Sequence, residues 1–543
     1  MAEPRILRVG LLCKGTTLPY WHAQAVRHLQ ELPGVELVVL GVPRSLPTIA
    51  KAGTLYSYLE RRALNLLSKQ AYLPVDLSDP LALLPCVELS SEWTSAKTVE
   101  ELVSFAPDLV FSFLPRMEAP HETNSRFPIW EFSIGKVGLG TDGMPAMQRA
   151  FTEESTLNVR LSRSDGADRV EARFPLRTDQ DLATLDKVLL GAAWLPASVI
   201  SAHRRKAETS PGSTPISTIQ PPDKQASIPY LLGSLIKLEI EKWRAASPKG
   251  PVQDEWNIGI LYQPITTLLE DHQSTNVRWL AAPSSGNQRM EPFGYTAPDG
   301  QLNVLYRKKH RNDDPDAIAR LRPKSDSVLK RSRSMLTTSV SLQYPFVVER
   351  PDGAYAVIGY AHQNRTELFK IASTNDGLDH IKVLLNRAIS NPTLIEFDSR
   401  WWLFGTDPDI PEMVLLAYYS DRFDGPFTPH LLNPLKIDGT GIRPAGTMFM
   451  RGNELWRPAS DTTEPDTTAV IINRVHELTP TTFREEPGRR VPGFKGTVYG
   501  KGLRTVSAMG DITLIDGLRG AMPDKKPKKE HKGGQRKRGS KEK

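Results

Sequence analysis

Residues 344–360 read YPFVVERPDGAYAVIGY. A proline preceded by a polar residue opens a short apolar strand, an Asp-Gly turn follows, and a second strand rich in aromatic and β-branched residues completes a hairpin. The same order recurs three times: Glu291-Pro292-Phe293 with Asp299-Gly300 and LNVLY, Asn391-Pro392-Thr393 with Asp398-Ser399 and WWLFGT, and Arg443-Pro444-Ala445 with Gly452-Asn453 and LWRP. The prolines at 292, 345, 392 and 444 are spaced by 53, 47 and 52 residues, and the turns at 299, 352, 398 and 452 by 53, 46 and 54. A period near 50 built from short hairpins is that of a β-propeller blade, and the Asp-Gly turns exclude a solenoid of helix pairs. Four such units plus Thr505–Asp516 (TVSAMGDITLID) predict five blades between residues 254 and 520, and Trp256–Tyr262 (WNIGILY) is available to supply the strand that closes the ring.

Upstream the pattern changes. RVGLLC (8–13), VELVVL (35–40) and DLVFSF (108–113) read as buried strands, separated by helical spacing at 20–32 and 98–105. Strands alternating with helices predict an α/β domain with a parallel sheet covered on both faces, over residues 1–205. Residues 206–253 combine a Ser, Thr, Pro and Gln-rich linker with an amphipathic helix at 228–243, and 521–543 form a basic tail predicted to be disordered. The fold class is thus multi-domain: α/β followed by an all-β five-bladed propeller.

With 39% hydrophobic and 24% charged residues in 543, the composition excludes wholesale disorder and coiled coil. The net charge of +7 invites a nucleic-acid reading, but Asp524–Lys543 holds ten Lys or Arg against three Asp or Glu, and the rest has 59 of each sign. A neutral body argues against a dedicated nucleic-acid groove and leaves only weak contact of the tail with RNA or an anionic membrane. Two cysteines cannot build a disulfide framework and no Cys/His spacing suits zinc, so no metal or other cofactor is expected. Without a signal-peptide pattern or an 18-residue apolar run, the expectation is a cytoplasmic protein. Oligomeric state is not readable from the sequence.

In a propeller the inner strand of every blade lines the central channel, so the residue before each proline aims at one mouth. Glu291, Tyr344, Asn391 and Arg443 are the candidates, and together they suit sugar hydroxyls and an anionic group. The bland alternative is that each caps the start of its strand. In the N-terminal half, Lys14-Gly15-Thr16-Thr17 follows a strand and precedes a helix, an arrangement able to receive phosphate but lacking the upstream glycine of a P-loop. His22 and His121 have no nucleophile or carboxylate at a telling spacing and read as core or solvated residues.

The propeller half resembles the module of glucosamine inositolphosphorylceramide transferases and their bacterial relatives, itself similar to glycoside hydrolase propellers of the family 43 type. The resemblance rests on QYPFV (343–347), NPTLIEFD (391–398) followed by WWLF (401–404), DGPF (424–427) with His430 and Asn433-Pro434, RPAG (443–446) with Arg457-Pro458 and Asp461, and DITLIDG (511–517). It implies a carbohydrate-active protein with a sugar nucleotide or glycan as substrate, Glu291 and Asp461 as catalytic candidates, and Tyr344, Asn391, Arg443, Arg457 and Arg504 as substrate-binding candidates. Departures also count: Glu291 and Asn391 stand where the family carries Asp, Gly359-Tyr360-Ala361 lacks the glutamate that ends the second aromatic strand, and Arg504 replaces a histidine. Hydrolysis of a glycoside needs two flanking carboxylates, so it is disfavoured against glycosyl transfer or glycan binding. The N-terminal half resembles the formyltransferase-like fold through 8–13, LPYW (18–21), 108–113 and IWEFSIG (129–135) followed by GMPA (143–146). Glu131 and Ser133 stand at the positions of its Asn and His, and only Asp165 or Asp168 could serve as its Asp, so formyl transfer is not expected. Two hypotheses result: a glycosyltransferase-type enzyme of glycan or glycolipid assembly, or a non-catalytic glycan-binding or scaffold protein with two degenerate enzyme domains.

Overall fold

The computed structural model describes residues 6–43, 62, 70–81, 83–89, 96–114, 127–134, 137–138, 156–164, 167–175, 184–206, 232–233, 236, 239–240, 255–270, 275–283, 287–309, 315–323, 329–372, 377–437, 441–461 and 468–519. The linker, most of the 228–243 helix, His121, Asp165 and the basic tail lie outside them.

The N-terminal sheet is built on Leu7–Leu12, whose side chains are buried except Arg8. Val35–Pro43 and Cys86–Leu89 extend it in parallel on one side, Leu109–Ser112 and Ile129–Ile134 on the other. An all-parallel sheet was expected, but the edge is antiparallel: Thr156–Arg163 pairs with Ile129–Ile134 and forms a hairpin with Arg169–Pro175. The short connection 164–168 is too brief for a crossover, which fixes the antiparallel sense. Helices Tyr20–Glu31, Thr184–Ala192 and Leu195–Lys206 cover one face, with Trp21, Val26, Leu29 and Trp194 in the core.

The second half is a five-bladed propeller. The blades comprise Gln288–Thr296, Leu302–Lys309, Ala317–Pro323 and Leu329–Leu336; Phe346–Arg350, Gly353–Tyr360, Arg365–Ile371 and Leu378–Leu385; Ser390–Phe397, Arg400–Thr406, Val414–Ser420 and Thr428–Pro429, with Lys436–Ile437 beside the third strand; Phe449–Arg451, Glu454–Asp461, Ala469–Leu478 and Phe483–Val491; and Gly502–Met509, Ile512–Arg519, Glu255–Leu261 and Arg278–Trp279. Glu255–Leu261 pairs antiparallel with Ile512–Arg519 from Glu255↔Arg519 to Leu261↔Thr513, so the fifth blade closes with the strand that the WNIGILY segment supplies. The tight turns carry the backbone their residues suggest: Gly300, Gly353 and Gly452 have positive φ, and Asp398 and Ser399 are both left-handed, the geometry of a type I′ hairpin turn.

The two halves are docked on each other. Trp194 Nε1 donates to Asp407 Oδ2 (3.1 Å), Ser201 Oγ to the carbonyls of Leu432 and Asn433 (3.1 and 3.2 Å), and Arg204 Nη1 to the carbonyl of Leu431 (2.7 Å). Arg387 lies over the Trp194 ring and pairs with both Glu31 and Asp407. The contact falls on the third blade, on the loop that follows Arg400–Thr406.

Candidate functional site

Each inner strand opens with a defect. In the first and third blades the ladder skips between Met290 and Phe293 and between Ser390 and Thr393, and in the fifth between Leu503 and Val506. Proline offers no N–H to continue a ladder, so the pre-proline residue and its proline bulge out together. Glu291, Tyr344 and Asn391 adopt φ of 55°, 52° and 52°, a left-handed conformation costing on the order of 1 kcal/mol or more for a side chain other than glycine. The same strain at the same repeat position in three blades turns these side chains toward one end of the channel.

There they form an interblade network. Glu291 is fully buried. Its Oε2 accepts the Tyr344 N–H (2.7 Å), and its Oε1 faces Arg307 (3.4 Å), Arg504 (3.5 Å) and Arg443 (3.7 Å). Burial pushes the carboxyl pKa up, but these guanidiniums and the Tyr344 N–H outweigh it and hold it below the ordinary glutamate value. Glu291 is therefore a permanent carboxylate near neutral pH, unable to act as a general acid. Asp516 staples the closure of the ring, accepting the Thr505 N–H at Oδ1 (2.7 Å) and the Glu291 N–H at Oδ2 (2.8 Å). Its burial raises its pKa to about 7.

Tyr344 is a strut. Its hydroxyl donates to the Gly446 carbonyl (3.2 Å), accepts the Gly446 N–H (2.7 Å) and contacts Thr393 Oγ1 (3.1 Å), joining the second blade to the third and fourth. Because the ring is completely buried, the expected substrate-binding role of Tyr344 gives way to sealing the axis. Gly446 permits this approach: a Cβ there would lie 1.6 Å from the Val506 carbonyl oxygen. Asn391 likewise serves the scaffold, donating to the Pro444 carbonyl (2.7 Å) and accepting from Arg443 Nη2 (3.1 Å).

Arg443 and Arg504 are the expected residues that keep water contact at this end, with side chains 11% and 29% exposed. Arg457 and Asp461 do not join the Glu291 cluster. Arg457 is fully buried, donating to the Gly441 and Ile442 carbonyls and pairing with Glu485 at 2.7 Å, whereas Asp461 pairs with Arg490 at 2.5 Å on an outer strand. The fully buried Arg457 is unavailable to a substrate phosphate. Three contributors escaped the sequence reading. Arg307 sits opposite Met290 on a second strand, Glu412 reaches Arg443 (2.9 Å) from a loop, and Asp516 is the lone acid in the apolar stretch ITLIDG. That lone acid was the one signal that could have found Asp516.

The N-terminal candidates are structural. The Lys14–Thr17 turn is tied down by pairing of Thr17–Pro19 with Pro74–Asp76, and the first helical N–H groups, of Tyr20 and Trp21, already donate to the carbonyls of Leu73 and Ala71. No phosphate cradle is left there. His22 packs on Trp21 and Phe113, and burial, aided by Lys14, lowers its pKa to about 3. Glu131 and Ser133 are buried in their strand. Among the described residues no group of His, Cys, Asp and Glu is arranged to hold a metal ion, and no helix is long and apolar enough to cross a membrane.

Residues 282–492, which take in Glu291, Arg307, Glu412 and Arg443, match the family model described as glucosamine inositolphosphorylceramide transferase 1, N-terminal. Over 152 residues the chain is 26% identical to glucosamine inositolphosphorylceramide transferase 1 of Oryza sativa subsp. japonica, covering 27% of this chain and 20% of that protein, and it matches the subsp. indica protein to the same extent. The chain thus spans about a fifth of the length of these curated relatives. Among solved structures, a thermostable family-43 glycoside hydrolase is similar at 13% identity over 46% of this chain and 91% of its own (TM-score 0.32). A structure from the GH130 family of mannoside phosphorylases is similar at 12% identity over 50% and 92% (TM-score 0.33).

Proposed function

We propose that the chain takes part in glycosyl transfer during glycan or glycolipid assembly, with its substrate, a sugar nucleotide or glycan, received at the propeller mouth around Glu291, Arg443 and Arg504. The observation that carries this reading is the match of residues 282–492 to a sugar-transferring family, over the segment that supplies Glu291, Arg307, Glu412 and Arg443 to the mouth. Simple hydrolysis is a poor fit: Glu291 and Asp461 are both paired with guanidinium groups, so neither offers the proton a glycosidic leaving group requires. In the transfer reading Glu291 acts by charge, holding the arginine side chains in place and favouring positive character that develops on a sugar carbon.

A second reading, a glycan-binding or scaffold protein, is favoured by a specific observation: Glu291 is fully buried, with one oxygen engaged by the Tyr344 N–H. The two are separated by the Glu291→Gln and Arg443→Ala variants of the full chain, assayed against a panel of sugar nucleotides and by the glycan profile of cells carrying them. Transfer predicts a loss of product of at least about tenfold in both variants, of the order expected when transition-state charge stabilisation is removed. An unchanged glycan profile with intact fold would leave the binding reading.

A further inference from the structure

The three guanidinium groups around Glu291 are unequally engaged. Arg307 is held by Asp316 through Nε (2.6 Å) and Nη2 (2.5 Å), with Gln343 Oε1 at 3.2 Å from Nη1. Arg443 is paired with Glu412 (2.9 Å) and Asn391 (3.1 Å), while its Nε is buried with no hydrogen-bond partner among the described residues. Arg504 is the least satisfied. Beyond the 3.5 Å ion pair with Glu291, its one hydrogen-bond partner among the described residues is the sulfur of Met290 (3.7 Å), and its guanidinium lies 5.7 Å from the Trp256 ring centroid.

The carboxylates are unequal too. The side chains of Glu291 and Asp316 are 1% and 6% exposed, whereas Glu412 is 35% exposed and stands on the loop between Arg400–Thr406 and Val414–Ser420. Glu291 and Asp316 are locked in place, and Glu412 can be exchanged for another anion at the expense of one partly hydrated ion pair. An arginine without an oxygen partner, beside a second arginine whose carboxylate faces water, makes an oxyanion site half filled from within the chain.

We propose that the propeller mouth binds a phosphate-bearing ligand between Arg504 and Arg443, and that Glu412 occupies Arg443 until the ligand displaces it. Phosphate is favoured over carboxylate because Glu412, with a single charge, leaves Arg504 without an oxygen partner, whereas a dianion with several acceptor oxygens serves both guanidinium groups. This deepens the proposed function by naming the chemistry of its substrate, and rests on that reading only for what carries the phosphate. A nucleotide donor and a phospholipid headgroup share this chemistry.

The test is calorimetric titration of the full chain at low ionic strength with inorganic phosphate, UDP and glycerol 1-phosphate, using glucuronate as the carboxylate control. Phosphate is expected to bind, and glucuronate at least about tenfold more weakly. Glu412→Gln is expected to tighten phosphate binding by about tenfold and Arg504→Gln to weaken it by about tenfold, the size of one charge-assisted contact. Preference for UDP or for glycerol 1-phosphate assigns the carrier, and either supports the site. Unchanged or weakened phosphate binding by a folded Glu412→Gln protein overturns the proposal, as does glucuronate binding as tightly as phosphate. Glu412→Gln alters an exposed side chain, so it decides the matter even if Arg504→Gln fails to fold. Phosphate binding without any glycosyl transfer would retain this site and reject the transferase reading; transfer without phosphate binding would do the reverse.

Discussion

Asp516 and Tyr344 show how single side chains hold the ring. Asp516 keeps its proton to about pH 7 in the folded protein, whereas the unfolded chain releases it near 3.8. Between those values the folded state binds more protons, so this group's contribution to stability falls as pH rises from about 4 to about 7 and is level on either side. Asp516→Asn should flatten that slope in denaturant titrations at several pH values, and should cost about 1–3 kcal/mol because the amide cannot accept both N–H groups. Tyr344→Phe removes the hydroxyl that meets Gly446 and Thr393. It should lower stability by about 1–3 kcal/mol in urea unfolding, with phosphate affinity unchanged, since Arg443 and Arg504 are untouched. Part of this cluster was legible: a repeated polar-Pro pair locates Glu291, Tyr344, Asn391 and Arg443 at one end of the channel. Which of them meets solvent was not, because that depends on partners brought in from outside the repeat, such as Arg307 and Glu412. Arg457 and Asp461 were misplaced for the same reason: their partners, Glu485 and Arg490, belong to an outer strand far along the chain.

At the level of elements, the closing strand is the most exposed to error. Glu255–Leu261 pairs with Ile512–Arg519 along its whole length, although some 250 residues separate them. A proline at Ile258, fully buried in that strand, should cost about 3 kcal/mol or more through the lost ladder bond and clash, read as a lower midpoint in thermal unfolding. The closure was readable because WNIGILY is an apolar strand with no hairpin partner beside it. The antiparallel edge of the N-terminal sheet was not, since a hairpin beyond a parallel sheet leaves the same local pattern as another βα unit. The loop between Arg400–Thr406 and Val414–Ser420 is shared by two tasks: Asp407 meets the α/β domain through Trp194 and Arg387, and five residues later Glu412 meets Arg443.

Across the whole molecule, the Ser/Thr/Pro-rich linker suggests two independent bodies, yet the halves share a buried contact. Arg387 is its centre, lying on Trp194 and joining Glu31 to Asp407. Arg387→Ala leaves Asp407, nine-tenths buried, short of a counter-charge and should cost about 3 kcal/mol, seen by calorimetry as separation of a single transition into two. A single unshifted transition would show that the docking carries no such energy. The tyrosine strut has a consequence at the same scale. With Tyr344 spanning from the second blade to the fourth, the channel is a blind well with one doorway. A polymer cannot thread through it, so whatever is recognised there is presented as a terminus, and reactant and product must leave by the way they came.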